Sequence, residues 1–142
     1  MTRIRDHEAL TFDVYGTLID WEPSIVAFFA AWAERNGVEA EGVAFLDAFE
    51  EARARIQAIR PALLYPEVLS RTYGAIAKRW RRPVDAKEQE EFSCSAGTWP
   101  PYADTIDSLR HLRRHFRMGC VSNIDDRSLD ATLAKLGVEW DF

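Results

Sequence analysis

Two short apolar runs lie about a hundred residues apart in this chain, "ALTFDV" at Ala9–Val14 and "RMGCV" at Arg117–Val121, and each gives way to polar residues. The sequence between them is punctuated as helices, so the runs cannot form a hairpin; strands joined through helices pair in parallel. In such sheets reactive side chains gather at the carboxyl ends of the strands. Asp13 stands near the end of the first run, and Ser122 and Asn123 directly follow the second.

The spacing predicts the elements in turn. Ala9–Val14 reads as a buried strand, because its apolar character is nearly continuous until Gly16 breaks it. A loop over 15–20 leads into "DWEPSIVAFFAAWAERNG", a helix that Asp20 or Ser24 can cap. Pro23 sits early in it, Ile25, Phe28, Phe29 and Trp32 repeat at helical spacing, and Gly37 stops it. This aromatic stripe reads as packing rather than as a cofactor box. A second helix runs from Val43 to about Ile59 and ends at Pro61. A third spans Pro66–Trp80, and Asp85 to about Ser93 forms a short acidic fourth. Gly97, Pro100 and Pro101 mark a connector into a helix over Tyr102–His115. After the second strand, Asp125 or Asp126 caps a helix over Ser128–Leu136 that Gly137 stops, and "VEWDF" reads as the beginning of another strand.

With 142 residues, 47% of them hydrophobic, the chain suffices for one domain with a core, or for one domain and an inserted unit. Eighteen basic against twenty-three acidic residues give a net charge of -5, which offers no footprint for nucleic acid and little for an anionic membrane. Apolar windows fall short of the roughly 18 to 20 residues that span a bilayer, and "MTRIRDHEAL" has no apolar export core. A cytoplasmic protein follows as the expectation. Cys94 and Cys120 lack the close spacing of a redox or zinc motif and read as reduced thiols.

A carboxylate followed by a glycine turn has two readings. Asp13 either closes an Asx-turn or holds its oxygens toward a cleft, as a covalent nucleophile must. Gly16 lets the backbone fold tightly and expose N–H groups to an anion, and Thr17 adds a hydroxyl donor. Ser122 and Asn123 either supply loop polarity or bind a carboxylate, a phosphate or a leaving anion. Taken together, two strand ends with compatible polar groups point to one site.

These residues resemble the haloacid dehalogenase superfamily, and within it the L-2-haloacid dehalogenase type. "FDVYGTL", Phe12–Leu18, looks like the family's first motif, and "VSN", Val121–Asn123, like its second; "TWPPYADTIDSLRHL" and "LGVEWDF" also have the family's look. The resemblance implies an α/β fold: a Rossmann-like core of parallel strands over 1–19 and 96–142, incomplete here, with a helical cap inserted over 20–95. It implies that Asp13 attacks C2 of a short 2-haloacid, expels halide and forms an ester that water cleaves, with no metal or other cofactor. Thr17 would orient Asp13, Ser122 would hold the substrate carboxylate, Asn123 would help to cradle the halide, and Tyr15, with Trp21, would wall the pocket. A cap arginine would stabilise the halide; Arg60 is the candidate, with Arg53, Arg55 and Arg71 as competitors.

Within the superfamily, magnesium-dependent phosphatases carry a second Asp two positions after the nucleophile, where this chain has Tyr15. A phenol with an ordinary pKa near 10 is a poor acid for a phosphate ester's leaving group, whereas halide needs no proton. The family's downstream Lys and acidic segment have no counterpart in the sequence: Lys135 lies too early for the first and Asp141 for the second. The expectation is therefore an N-terminal portion of a longer dehalogenase, or a chain completed in trans, with dimerisation as a family trait. The rivals are a magnesium phosphatase of the same superfamily and a binding module that kept the fold without turnover.

Overall fold

The computed structural model describes residues 3–142; Met1 and Thr2, the first two residues assigned above to the core, lie outside it. The chain divides into two compact units, one formed by the segment up to Trp21 with Thr98–Phe142, the other by Glu22–Gly97.

The Glu22–Gly97 unit is helical: α1 (Glu22–Asn36), α2 (Gly42–Gln57), α3 (Tyr65–Arg79) and α4 (Ala86–Ser93). The aromatic stripe of α1 is core, as its spacing implies. Phe29 packs against Phe92, Trp32, Phe45 and Tyr73 at ring separations of 5.1 to 6.3 Å, and all five side chains are essentially fully buried. Polar contacts tie the edges: Asp85 caps α4 by accepting from Lys87 and Glu88 N–H at 2.9 Å each. Glu88 then accepts from the Tyr73 hydroxyl and from Arg35, both at 2.7 Å. Among the described residues no helix is long and apolar enough to cross a membrane.

The other unit is α/β. Strands β1 (Ala9–Phe12) and β2 (Arg117–Cys120) pair in parallel, with Ala9 opposite Arg117 and Phe12 opposite Cys120. Both are shorter than the apolar runs suggest. At β1 the backbone beyond Phe12 turns on itself, and the Val14 carbonyl accepts from the N–H groups of Leu18 and Ile19 at 2.8 and 3.0 Å. β1 is also more open than a buried strand, its residues alternating between exposed and half-buried, since it pairs only with β2 among the described residues. The buried apolar side chains of this unit include Val14, Leu18 and Ile19 just after β1, Met118 in β2, and Trp99, Leu109 and Leu136.

Two helices complete the α/β unit, α5 (Thr105–Leu112) and α6 (Asp126–Leu136). Helix α5 is shorter at both ends than its periodicity. The Tyr102 N–H is taken by the Leu18 carbonyl at 3.2 Å, and beyond Leu112 the turns tighten, His115 donating to Leu112 at 2.9 Å. In α6 the Asp125 carboxylate caps Ser128 N–H at 3.1 Å, and Gly137 ends the helix at φ +62°, in the left-handed region that glycine adopts without steric cost.

The "VEWDF" segment is not a regular strand, yet it lies along β2. Asp141 donates its N–H to the Met118 carbonyl at 2.7 Å, and its carboxylate accepts from Met118 N–H at 2.8 Å. Arg113 pairs with the same carboxylate at 3.0 Å, and the Phe142 ring covers Gly119 so closely that a Cβ there would collide with it.

Candidate active site

The parallel register brings the sequence candidates of the α/β unit to one end of the sheet. Phe12 is opposite Cys120, and its carbonyl accepts from Val121 N–H at 2.8 Å; Asp13 therefore emerges beside the turn that carries Ser122 and Asn123. Asp13 and Asn123 are exposed and Ser122 is half-buried. The Thr17 hydroxyl donates to Asp13 Oδ2 at 3.1 Å, so the loop after β1 returns to hold the carboxylate that ends it.

That loop is a closed turn. Gly16, at φ +94°, allows the reversal. Its N–H donates to the Ile19 carbonyl at 2.9 Å, and the N–H groups of Thr17, Leu18 and Ile19 turn toward the Val14 carbonyl. The expectation that the glycine turn would present these N–H groups to an anion is corrected: the loop's own carbonyls occupy them. Its far side is fixed to the connector, where Asp20 N–H donates to Pro100 at 2.8 Å and the buried Thr105 hydroxyl to Leu18 at 3.0 Å.

Tyr15 is half-buried with its hydroxyl 2.7 Å from Thr132 Oγ1 on α6, and its ring meets Trp99 edge-on at 5.8 Å. Burial raises its pKa above the usual tyrosine value. The nearby Asp125 charge adds to that rise. The phenol therefore stays protonated through the physiological range. Thr132 escapes a reading from motifs; the signal that could find it is a hydroxyl residue on the apolar face of α6, among Leu129, Leu133 and Leu136.

Lys135 donates to the Trp99 carbonyl at 2.8 Å. Although much of its side chain is exposed, the loss of water around its ammonium group lowers its pKa. Cys120, beside the site in β2, has its pKa raised by burial and is a thiol rather than a thiolate at neutral pH. Among the described residues no three His, Cys, Asp or Glu side chains converge as a set of metal ligands.

Arg60 belongs to the helical unit. It is exposed, and its Nη1 donates to the carbonyls of Gln57 and Ile59, both at 2.9 Å, closing the C-terminal end of α2. Its competitors are engaged with carboxylates: Arg53 with Glu50 at 2.7 Å, Arg55 with Glu51 at 3.7 Å and Arg71 with Glu67 at 2.6 Å. A groove of about 650 Å³ in this unit lies between α2 and α3, lined by Ala52, Arg55, Ile56, Ile76 and Arg79 among others; Arg55 borders it and Arg60 does not.

Residues 7–142 match the family of haloacid dehalogenase-like hydrolases. No curated protein sequence matches the chain. Among solved structures, the chain is similar to a defluorinating L-2-haloacid dehalogenase, with a TM-score of 0.78 and 22% identity over 95% of this chain and 58% of that one. It is also similar to the L-2-haloacid dehalogenase from Xanthobacter autotrophicus, with a TM-score of 0.72 and 20% identity over 94% of this chain and 54% of that one. The same enzyme with chloropropionic acid covalently bound gives 0.69 at the same identity and coverage. At these identities the likeness is one of fold, and the chain spans 54–58% of the length of these structures.

Proposed function

Because the chain belongs to the haloacid dehalogenase-like hydrolases, we propose that it bears the nucleophile of a 2-haloacid dehalogenase, with Asp13 as the attacking group. One Asp13 oxygen displaces halide from C2 of a short 2-haloacid; the carbon–oxygen bond forms as the carbon–halogen bond breaks, and the halide leaves with its electron pair. Water then adds to the carbonyl carbon of the resulting ester, and 2-hydroxyacid and a proton depart as the Asp13 carboxylate is restored. Thr17 orients the nucleophile, Ser122 receives the substrate carboxylate, Asn123 and Arg60 stabilise the halide, and Tyr15 walls the pocket.

The observation that carries this reading is the pairing of Asp13 with a hydrogen-bonded phenol, Tyr15, two positions later. Protonation of an alkoxide leaving group is the task of an acid at that place, and a phenol whose pKa is raised above its usual value is the wrong acid for it. Halide departure needs none. The likeness to a dehalogenase structure with chloropropionic acid covalently bound supports the same choice. By this reading the partner is a small haloacid, and the protein acts in the cytoplasm as a homodimer.

The test is incubation of the protein with each enantiomer of 2-chloropropionate, following halide release and the intact mass. The expected result is an adduct mapped to Asp13, absent in Asp13→Asn and insensitive to chelator. Chelator-sensitive hydrolysis of phosphate esters without an adduct would replace this reading by a magnesium-dependent phosphatase.

A further inference from the structure

We infer that Thr132 is a positioning residue for this site: it accepts a hydrogen bond from the Tyr15 hydroxyl and so ties the loop bearing Asp13 to the helix that continues from Ser122 and Asn123. The inference rests on the dehalogenase reading for its chemical consequence, and on geometry alone for its structural one.

The direction of the bond follows from counting protons. Thr132 Oγ1 donates to the Ser128 carbonyl one turn earlier, at 3.0 Å, which uses its single hydrogen. At 2.7 Å from the phenol oxygen it can then only accept, so Tyr15 donates. Thr132 is completely buried, and a valine would fill the same volume without the cost of burying a hydroxyl. Packing alone does not call for threonine here; the bond to Tyr15 does.

The bond joins parts of the chain 117 residues apart, and those parts are the two halves of the site. Asp13 lies two residues before Tyr15. Helix α6 starts from the Asp125 cap, two residues after Asn123, so its orientation is coupled to that of the second strand's turn. A second tie reinforces the first. Lys135, on the same face of α6 as Ser128 and Thr132, donates to the Trp99 carbonyl, and the Trp99 ring abuts Tyr15. Helix, connector and loop are thus joined in a closed circuit by the Tyr15–Thr132, Lys135–Trp99 and Trp99–Tyr15 contacts. Within it the phenolic proton is directed to α6 and kept from a leaving group.

Reactions of a held nucleophile are sensitive to displacements of about 1 Å, which can cost roughly a hundredfold. The experiment compares Thr132→Val, Thr132→Ser, Tyr15→Phe and the Tyr15→Phe/Thr132→Val double variant in the whole chain. Two quantities are read: the rate of the Asp13 adduct with 2-chloropropionate, and amide hydrogen exchange in the Phe12–Leu18 peptide.

Thr132→Val and Tyr15→Phe should each slow adduct formation by about 10- to 100-fold, with the double variant no slower than the singles, because both remove one bond. Thr132→Ser, which keeps the acceptor, should restore most of the rate. Exchange in the loop peptide should quicken in Thr132→Val and Tyr15→Phe and not in Thr132→Ser. A wild-type adduct rate in Thr132→Val, or losses that multiply in the double variant, would overturn the inference. If the wild-type chain forms no adduct, the dehalogenase reading fails on its own. Hydrogen exchange then decides the positioning role, and unchanged exchange in Thr132→Val would end it.

Discussion

The Thr17 hydroxyl donates to Asp13 Oδ2 at 3.1 Å, across a loop whose every backbone N–H from Gly16 to Ile19 is turned inward. The side chain of Thr17 is thus the donor that this turn directs at the carboxylate. In the proposed reaction this hydrogen bond would fix which Asp13 oxygen faces C2, and valine would remove it. Thr17→Val should slow formation of the Asp13 adduct by about 10- to 100-fold, and Thr17→Ser should recover most of it. Time-resolved intact mass is the measurement, and equal rates in valine and wild type would remove Thr17 from the site.

Arg60 separates a structural from a chemical role. Its contacts are two carbonyls at the end of α2, on an exposed side chain, so truncation should leave the melting temperature nearly unchanged. If it also stabilises halide, Arg60→Ala should lower halide release by at least about tenfold at the same time. Loss of both stability and activity together would assign Arg60 to the helix end alone.

The helical unit should lose stability in alkali. Tyr73 is buried with its hydroxyl on Glu88; burial, then the hydrogen bond to that carboxylate and its charge, push its pKa up to about 12. In the unfolded chain the phenol ionises near 10, so between about pH 10 and about 12 the unfolded state binds fewer protons than the native one. Stability present below that window is therefore lost as pH rises through it. Urea unfolding at stepped pH checks this, and Tyr73→Phe should flatten the slope.

Gly119 is constrained by contact rather than by dihedral. A methyl group there would meet the Phe142 ring and carbonyl, and Phe142 is half-exposed and can retreat. Gly119→Ala should therefore cost about 1 kcal/mol, the low end for overpacking, by urea unfolding. Phe142→Ala added to it should recover only part of the loss, since the main-chain carbonyl at position 142 stays in the way.

Local chemistry made much of this molecule legible. Near-continuous apolar runs marked both strands, aromatic residues at helical spacing marked the core of α1, and Asp85, Asp125 and Gly137 are the helix caps and stop their residue types imply. The misplacements come from backbone hydrogen bonds that the apolar pattern does not encode. The run Ala9–Val14 is apolar apart from Thr11 and Asp13, but Val14 gives its carbonyl to Leu18 and Ile19 and leaves the ladder. Tyr102 looks helical by period, yet Leu18, more than eighty residues earlier, takes its N–H. Of the site, the grouping of Asp13 with Ser122 and Asn123 follows from parallel pairing, which composition and order suggest. The Tyr15–Thr132 bond does not, because no spacing rule links positions 117 apart.

Asp141 governs how this sheet can grow. It meets Met118 with both main chain and side chain, accepting from the Met118 N–H through its carboxylate where a neighbouring strand would offer a carbonyl, and Arg113 pairs with that carboxylate. An incoming strand would have to displace an ion pair to dock there, which is how natural sheets discourage edge-to-edge association. The outer edge of β1 carries no such plug among the described residues. Any added strand is therefore directed to one side of the ribbon, the side of the strand that delivers Asp13.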